Sequence, residues 1–204
     1  PGRGGSATID VAECPELAAP ERTLLGAAQE QWLEAGLAAS RTRWNVLAQQ
    51  TRMAQLDWKP GPGRSAWNDG WDGYPAARKR LLDFLASSRT QNPVAIGGDV
   101  HLFNVSDLKP DFDDSASPVV ASEFVGTSIT AQSWAQSRLD PLLPENPHMK
   151  LLDSRYRGYV RVELTPTRWL ADLRAMDSVR SRDAACSTLA SFVVEDGRPG
   201  PQKA

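Results

Sequence analysis

The sequence predicts an α/β core that continues into an antiparallel sheet. The first half alternates amphipathic helical patterns with short apolar runs, and this order is typical of helices packed on a sheet. The second half contains several β-prone runs, and turn signals at residues 165–167 and 196–197 separate the last three of them. These runs predict an antiparallel meander at the end of the chain.

Size and charge exclude several classes of function. The chain has 204 residues, and 23 Lys and Arg stand against 25 Asp and Glu, which is an ordinary globular composition for about one domain. A net charge of −2 gives no electrostatic argument for nucleic acid or anionic lipid as a partner. No apolar stretch approaches the ~20 residues of a membrane span. We therefore expect no nucleic-acid-specific binding and no membrane span.

The first half divides into five segments. Residues 1–20 are rich in Gly, Ala and Pro and predict a leading loop, which begins with Pro1 rather than Met and so suggests the start of a fragment. From Thr23, apolar residues at helical spacing, among them Trp32, predict a helix that ends near Ser40. Residues 43–49 predict a buried strand, and residues 52–74 a long irregular stretch of the kind that is usually functional. Pro75 then begins a second predicted helix, which ends near Ser87.

The remaining β-prone runs span residues 94–96, 119–125, 158–164, 169–176 and 189–195. Residues 201–204 are expected to be a short tail. Cys14 and Cys186 are far apart in the sequence and lack metal-site spacing, so one disulfide and two inert thiols are equally compatible with the pattern.

The strongest local signal for chemistry is the segment from Val94 to His101. A buried strand that runs into Gly97 and Gly98 should reach the carboxyl edge of a parallel sheet, where α/β proteins assemble their sites. If the segment stays extended, the side chains of Asp99 and His101 project to the same side. A carboxylate and an imidazole together suit a divalent or trivalent cation. The alternative is that a ring nitrogen of His101 only hydrogen-bonds the backbone while Asp99 caps the segment that follows.

Two further clusters are candidate pocket residues. Trp71, Asp72 and Tyr74 combine apolar walls with one charge in a glycine-rich segment, although a well-packed surface loop has the same composition. His148 and Arg157 could bind an anion, because a guanidinium matches phosphate oxygens, although surface arginines are more often solvated.

Several segments resemble the carboxyl-terminal half of the PhoD-type alkaline phosphatases, in the metallophosphoesterase superfamily. The likeness covers roughly residues 20–200 in order and spacing. The matching segments are LGAAQEQWL (25–33), WNVLAQQ (44–50), DGWDGYPAAR (69–78), GDVH (98–101), EFVGTSIT (123–130), NPH (146–148) and residues 157–160.

The resemblance implies a sandwich of two β-sheets flanked by helices, in which residues 21–200 form the second half of a catalytic domain. It implies hydrolysis of phosphate monoesters or diesters by attack of a metal-activated hydroxide or oxide, in a site that holds calcium and iron. The GDVH element supplies metal ligands in the family, so the assignment falls on Asp99 and especially His101. By the same analogy Trp71, Asp72 and Tyr74 shape the substrate pocket, whereas His148 and Arg157 match family positions without an assigned role.

The family's opening metal motifs lie upstream of the LGAAQEQWL-type helix and have no counterpart in this sequence. The resemblance therefore implies a fragment that is inactive alone, and a Cys14 that pairs with an upstream residue. It also implies a monomeric parent enzyme that is periplasmic or secreted and carries a twin-arginine signal. A non-catalytic binding module that retains the family core is the alternative. The choice among small monoesters, diesters and phospholipids stays open.

Overall fold

The computed structural model describes residues 8–204. Its helices are α1 (Ala27–Ala39), α2 (Pro75–Ser87) and the short α3 (Gln136–Leu139). Its strands are β1 (Thr8–Asp10), β2 (Asn45–Ala48), β3 (Ser65–Trp67), β4 (Pro93–Gly97), β5 (Phe103–Leu108), β6 (Ala121–Val125), β7 (Met149–Asp153), β8 (Arg157–Leu164), β9 (Arg168–Met176), β10 (Cys186–Glu195) and β11 (Arg198–Lys203).

The central sheet has five strands in the order β2-β4-β6-β5-β7. β2, β4 and β6 are parallel, whereas β5 is antiparallel to both β6 and β7. The carboxyl ends of β2, β4 and β6 therefore meet at one edge of the sheet, as do the start of β5 and the end of β7. All six residues of β5 and all five of β6 are buried, as expected for strands covered on both faces.

The second sheet is an antiparallel meander of four strands in the order β11-β10-β9-β8. Its inner face packs on the central sheet, and the shared core contains Phe103 and Phe124 from one sheet and Trp169, Leu173 and Phe192 from the other. The rings of Phe124 and Trp169 stack with centroids 6.0 Å apart. The two sheets therefore form a sandwich with one continuous apolar layer between them.

Helices cover the opposite face of the central sheet. Leu81, Leu82 and Leu85 of α2 are buried there together with Leu37 of α1 and Ala95 of β4. The apolar spacing of α2 places these leucines on one side of the helix, and Pro75 occupies its first turn, where a missing N–H costs nothing. The molecule is thus layered as helices, mixed sheet and antiparallel sheet.

The predicted fold class is confirmed, with both sheets, the covering helices and the terminal meander present. Several details were predicted wrongly. Residues 65–67 of the expected irregular stretch form β3, and β5 and β7 fall outside every predicted run. Residues 8–10 of the expected leading loop form β1, which pairs with β3, while residues 1–7 lie outside the described residues. β11 extends into the expected tail, since it reaches Lys203. Trp32, on the predicted apolar stripe of α1, is 72% exposed.

Cys14 and Cys186 are both half-buried free thiols in the structure. Among residues 8–204, no helix is both long enough and apolar enough to cross a membrane.

Candidate active site

The candidate site lies at the edge where β2, β4 and β6 end. Gly97 of β4 pairs with Val125 of β6, and Asn104 of β5 pairs with the same Val125 from the other side. The segment that joins β4 to β5, residues 98–102, must therefore pass over the end of β6. The sequence prediction that this segment reaches the carboxyl edge of a parallel sheet agrees with that topology.

Backbone contacts hold β4 closely against the segment that follows β2. A Cβ atom built on Gly97 would lie 2.5 Å from the carbonyl oxygen of Thr51, so only glycine fits here without a shift of the backbone. The Gly98 amide donates to the Gln50 carbonyl (3.0 Å), and the Gly126 amide donates to the Gly97 carbonyl (2.9 Å). The start of the Asp99 segment is thus fixed from both neighbouring strands.

The expectation that Asp99 and His101 lie on an extended segment is wrong. Both residues have left-handed backbone angles, with φ of 66° at Asp99 and 57° at His101, and the Val100 amide bonds to the Gly98 carbonyl (2.8 Å). This tight winding occurs because the chain has to turn back over the end of β6 and enter β5 in the opposite direction. Both side chains still belong to the same short turn above the sheet edge, where Asp99 is exposed and His101 is half-buried.

The imidazole of His101 is oriented by a backbone carbonyl. Its Nδ1 lies 2.9 Å from the carbonyl oxygen of Gln132. A carbonyl only accepts hydrogen bonds, so Nδ1 carries a proton, and in the neutral ring Nε2 then keeps a lone pair. Metal-binding histidines use the same arrangement, in which one ring nitrogen donates to a carbonyl and the other binds the ion.

Arg157, the first residue of β8, is half-buried beside the same turn. Its guanidinium donates to four oxygens, which are His101 O (3.3 Å), Ser128 Oγ (3.1 Å), Ala131 O (2.8 Å) and Ser154 O. Burial lowers the pKa of Arg157, and Asp153 opposes this shift. Because most of its donors are used within the protein, the structure places Arg157 as a support for the turn and the 128–131 segment.

An open groove of about 610 Å³ runs along this edge. Its polar floor contains Gln49, Gly97 and Gly98, and its walls include Ile129 and Tyr159. Asp99 directly follows the floor residue Gly98 in the chain. The groove is therefore largely apolar, and the exposed Asp99 belongs to the turn that begins at its lining residue Gly98.

Asp72 does not line this groove but lies in a buried ion-pair network. It is 6% exposed, and its carboxylate accepts from Arg52 Nη2 (2.8 Å), from Arg78 Nη1 and from the Leu56 amide (3.1 Å). Glu123, also fully buried, accepts from the amides of residues 53 and 54, and burial raises its pKa to about 7 against the pull of these donors and of both arginines. Together these groups fix the loop that follows β2.

The aromatic residues around Asp72 have separate contacts. Trp71 is buried, and its indole N–H donates to the side-chain oxygen of Gln49 (3.0 Å), so it orients a residue on the groove floor. Tyr74 lies under the guanidinium of Arg22, whose central carbon is 4.7 Å from the ring centroid. The structure therefore links Trp71 to the groove through Gln49, whereas Tyr74 packs at the start of α2.

His148 lies toward the opposite edge of the central sheet. It precedes β7, whose Met149 pairs with Ser106, whereas Asp153 at the other end of β7 pairs with Phe103 beside the groove edge. Its Nε2 donates to the Gln55 carbonyl (2.7 Å), while its buried Nδ1 has no hydrogen-bond partner among the described residues. Burial lowers the pKa of His148 to about 4. The structure does not bring His148 together with Asp99 and His101.

Residues 126–132 and Gln49 were given no site role from the sequence, although residues 44–50 and 123–130 belong to the segments that resemble the family. The signal that pointed to Gly97 and Gly98, a glycine directly after a buried apolar run, occurs again at Gly126 and could have marked the second segment. Gln49 follows β2 at the same edge, but its type carries no signal apart from that position.

Comparisons with known proteins agree with the fold. A family model described as PhoD-like phosphatase matches residues 4–173. Alkaline phosphatase D from Bacillus subtilis (strain 168) is 44% identical over 187 residues, which cover 90% of this chain and 32% of the relative. A solved structure of PhoD, 39% identical, superposes over 100% of this chain and 39% of its own length with a TM-score of 0.88. The chain thus spans about a third of the curated relative, and it belongs to the PhoD-like phosphatase family.

Proposed function

We propose that this chain is part of a metal-dependent phosphatase that hydrolyses phosphate monoesters or diesters, and that Asp99 and His101 contribute ligands to its metal site. The proposal is supported by the family membership and by one observation above all, the imidazole of His101. Its Nδ1–H is committed to the Gln132 carbonyl, which leaves Nε2 available to a cation, and Asp99 lies two residues away in the same turn.

These two donors fit the cations expected from the resemblance. Calcium prefers carboxylate oxygens and iron also takes imidazole nitrogen, so calcium and iron stay the proposed metals. Among residues 8–204, no group of three or more His, Cys, Asp or Glu side chains is arranged to hold one ion. Because the chain covers only 32% of the curated relative, we propose that the other ligands come from residues outside this chain, and that the chain alone does not turn over substrate.

The chain's own residues would bind and orient the substrate. A bound cation supplies positive charge that stabilises the phosphoryl oxygens and lowers the pKa of water. The groove walls, with Ile129 and Tyr159, would contact the organic part of a small phosphate ester. The side-chain amide of Gln49 bonds to Trp71 and to the backbone of Thr51, so Gln49 would shape the groove rather than bind the ester. Asp72 acts only indirectly, because it fixes the loop next to Gln49.

The proposal is tested with His101→Ala in the phosphatase that carries this chain. We expect bound-metal stoichiometry and p-nitrophenyl phosphate turnover to fall together, because Nε2 is lost as a ligand. His148→Gln is the matched control, since His148 is the other histidine of the chain and lies away from the groove, and it should retain the metals. Unchanged metal content and turnover in His101→Ala would contradict the assignment.

A second assay separates the enzyme from a non-catalytic binding module. The 204-residue chain is supplied with calcium and iron, and p-nitrophenyl phosphate hydrolysis is measured. We expect no turnover by this chain alone but turnover by the longer protein. Metal-dependent turnover by the chain would contradict the missing-ligand proposal, and a longer protein that binds phosphate esters without cleaving them would favour the binding module.

The location of the longer protein follows from the same family argument. We propose that it is exported to the periplasm or the cell exterior and acts there as a monomer on small phosphate esters. Sequencing the encoded region before Pro1 tests the export proposal, which expects a twin-arginine signal.

A further inference from the structure

We propose that Arg157 is a positioning residue, which clamps residues 128–131 and the turn at His101 so that the imidazole presents a bare Nε2 outward. The effect of Arg157 on the orientation of the His101 ring is argued from its hydrogen bonds alone. The effect of Arg157 on metal binding rests on the proposed function.

The contacts join three separate segments at one guanidinium. Nη1 of Arg157 donates to the carbonyl of His101 itself and to both ends of the 128–131 segment, while Nη2 donates to the carbonyl of Ser154. The adjacent Gln132 supplies the carbonyl that holds Nδ1 of His101. One side chain therefore fixes the backbone of the histidine and the backbone of the segment that orients its ring.

The 126–132 segment has further ties to the start of β8. The Ser128 carbonyl accepts from the Gly158 amide (3.2 Å), and its hydroxyl donates to the Ala131 carbonyl (2.7 Å). The Thr127 hydroxyl donates to the Tyr156 carbonyl (3.0 Å). These bonds shape the segment but do not reach His101. Among the described residues, the Arg157 guanidinium joins this segment to the backbone carbonyl of His101.

The backbone of the turn needs such a link. The left-handed φ of 57° at His101 is sparsely populated by residues other than glycine, and such a conformation persists only where the surroundings hold it. The Arg157 bond to the His101 carbonyl opposes relaxation of this angle. If it is lost, the ring can swing away from Gln132, and the proton can then exchange between the two ring nitrogens.

Arginine suits this task better than lysine. The guanidinium is planar and rigid and offers five N–H donors, so it can serve acceptors on several sides at once. An ammonium group is a compact point on a flexible stem. We therefore expect Arg157→Lys to keep part of the clamp and Arg157→Met, which keeps the apolar stem, to lose it.

The test reads the tautomer of His101 directly in the full chain. Nitrogen-15 NMR at about pH 8, where an ordinary imidazole is neutral, reports which ring nitrogen carries the proton. Because the chain has only two histidines, His148→Gln assigns the signals. We expect protonated Nδ1 and bare Nε2 in the parent chain, two averaged nitrogen shifts in Arg157→Met, and an intermediate result in Arg157→Lys.

Cobalt(II) alone serves as a metal probe in the same samples. Loss of a residue that supports a metal ligand typically weakens metal binding by roughly 10- to 100-fold. For Arg157→Met we therefore expect an increase of about 10-fold in the cobalt concentration that is needed to broaden the His101 ring signals. Arg161→Met is the matched control, because Arg161 lies on the same strand but is 61% exposed and pairs with Asp172 instead. It should leave both the tautomer and the cobalt titration unchanged.

The outcomes separate the two proposals. An unchanged His101 tautomer in folded Arg157→Met overturns the positioning role, as does an equal shift in Arg161→Met. A shifted tautomer without a change in cobalt binding upholds the positioning role and counts against the metal role of His101. If Arg157→Met does not fold, Arg157→Lys decides, and an unchanged tautomer and cobalt titration in that variant would overturn the proposal.

Discussion

Replacement of Asp72 by asparagine should destabilise the fold strongly. The Asp72 carboxylate is buried between Arg52 and Arg78, whose side chains are buried as deeply as its own, and it also accepts from the Leu56 amide. Asparagine keeps the shape but removes the carboxylate with which both buried guanidinium groups form direct ion pairs. Its NH₂ group also faces donors rather than acceptors.

The magnitude follows from this burial. Removing one partner of a buried ion pair costs about 3–5 kcal/mol, because the remaining charge stays desolvated and unpaired. An unsatisfied amide costs ~1–3 kcal/mol alone, but the two losses share one network and do not add in full. We therefore expect Asp72→Asn to lower the free energy of unfolding by about 4 kcal/mol.

Urea unfolding, followed by tryptophan fluorescence, measures this change. Asp83→Asn is the matched control, because Asp83 is 51% exposed and pairs with Lys79 one helical turn away. Such exposed pairs contribute about 0.3–0.5 kcal/mol. If Asp72→Asn lowers the free energy of unfolding by less than about 1 kcal/mol, while the slope of that free energy with urea concentration is unchanged, the structural role assigned to Asp72 is refuted.

Two further predictions concern single positions. Gly97→Ala should cost about 1–3 kcal/mol of unfolding free energy, because the new Cβ meets the Thr51 carbonyl at 2.5 Å, whereas Gly36→Ala in α1 meets open space and should gain about 0.5–1 kcal/mol. Equal effects in thermal melts would contradict this contrast. Because its pKa is lowered in the folded protein, the His148 imidazole favours folding only while it is neutral. Its contribution to the free energy of unfolding is therefore complete above about pH 6.5 and is lost as the pH falls to about 4. Across that window the free energy of unfolding of the parent chain should fall by about 3 kcal/mol relative to that of His148→Gln. The pH dependence that Glu123 contributes has the opposite sign but is the same in both proteins, so it drops out of the comparison. Parallel pH profiles of the two proteins would contradict this prediction.

The candidate site was only partly predictable from the sequence. The run from Val94 to Gly98 indicated a strand that ends in glycines at a sheet edge, and the structure has that strand and that edge. The extended geometry expected for Asp99 and His101 was wrong, because the direction of β5 decides how the chain must turn and no local pattern encodes that direction. Asp72 shows the same limit, since its acidic type suits a pocket rim and a buried ion pair equally well.

Local patterns in the chain were sufficient to predict several helices, strands and turns. The periodicity of α2, its first-turn proline, the β-prone runs of the meander and the turns between them all depend on residues within a few positions of one another. The long-range partners of the polar side chains, in contrast, depend on how the whole chain folds. Arg157 contacts His101 across 56 positions, His148 contacts Gln55 across 93, and both pairs depend on strand order and register. These depend on how whole sheets pack, so the partners of the polar side chains could not be inferred from their neighbours in the chain.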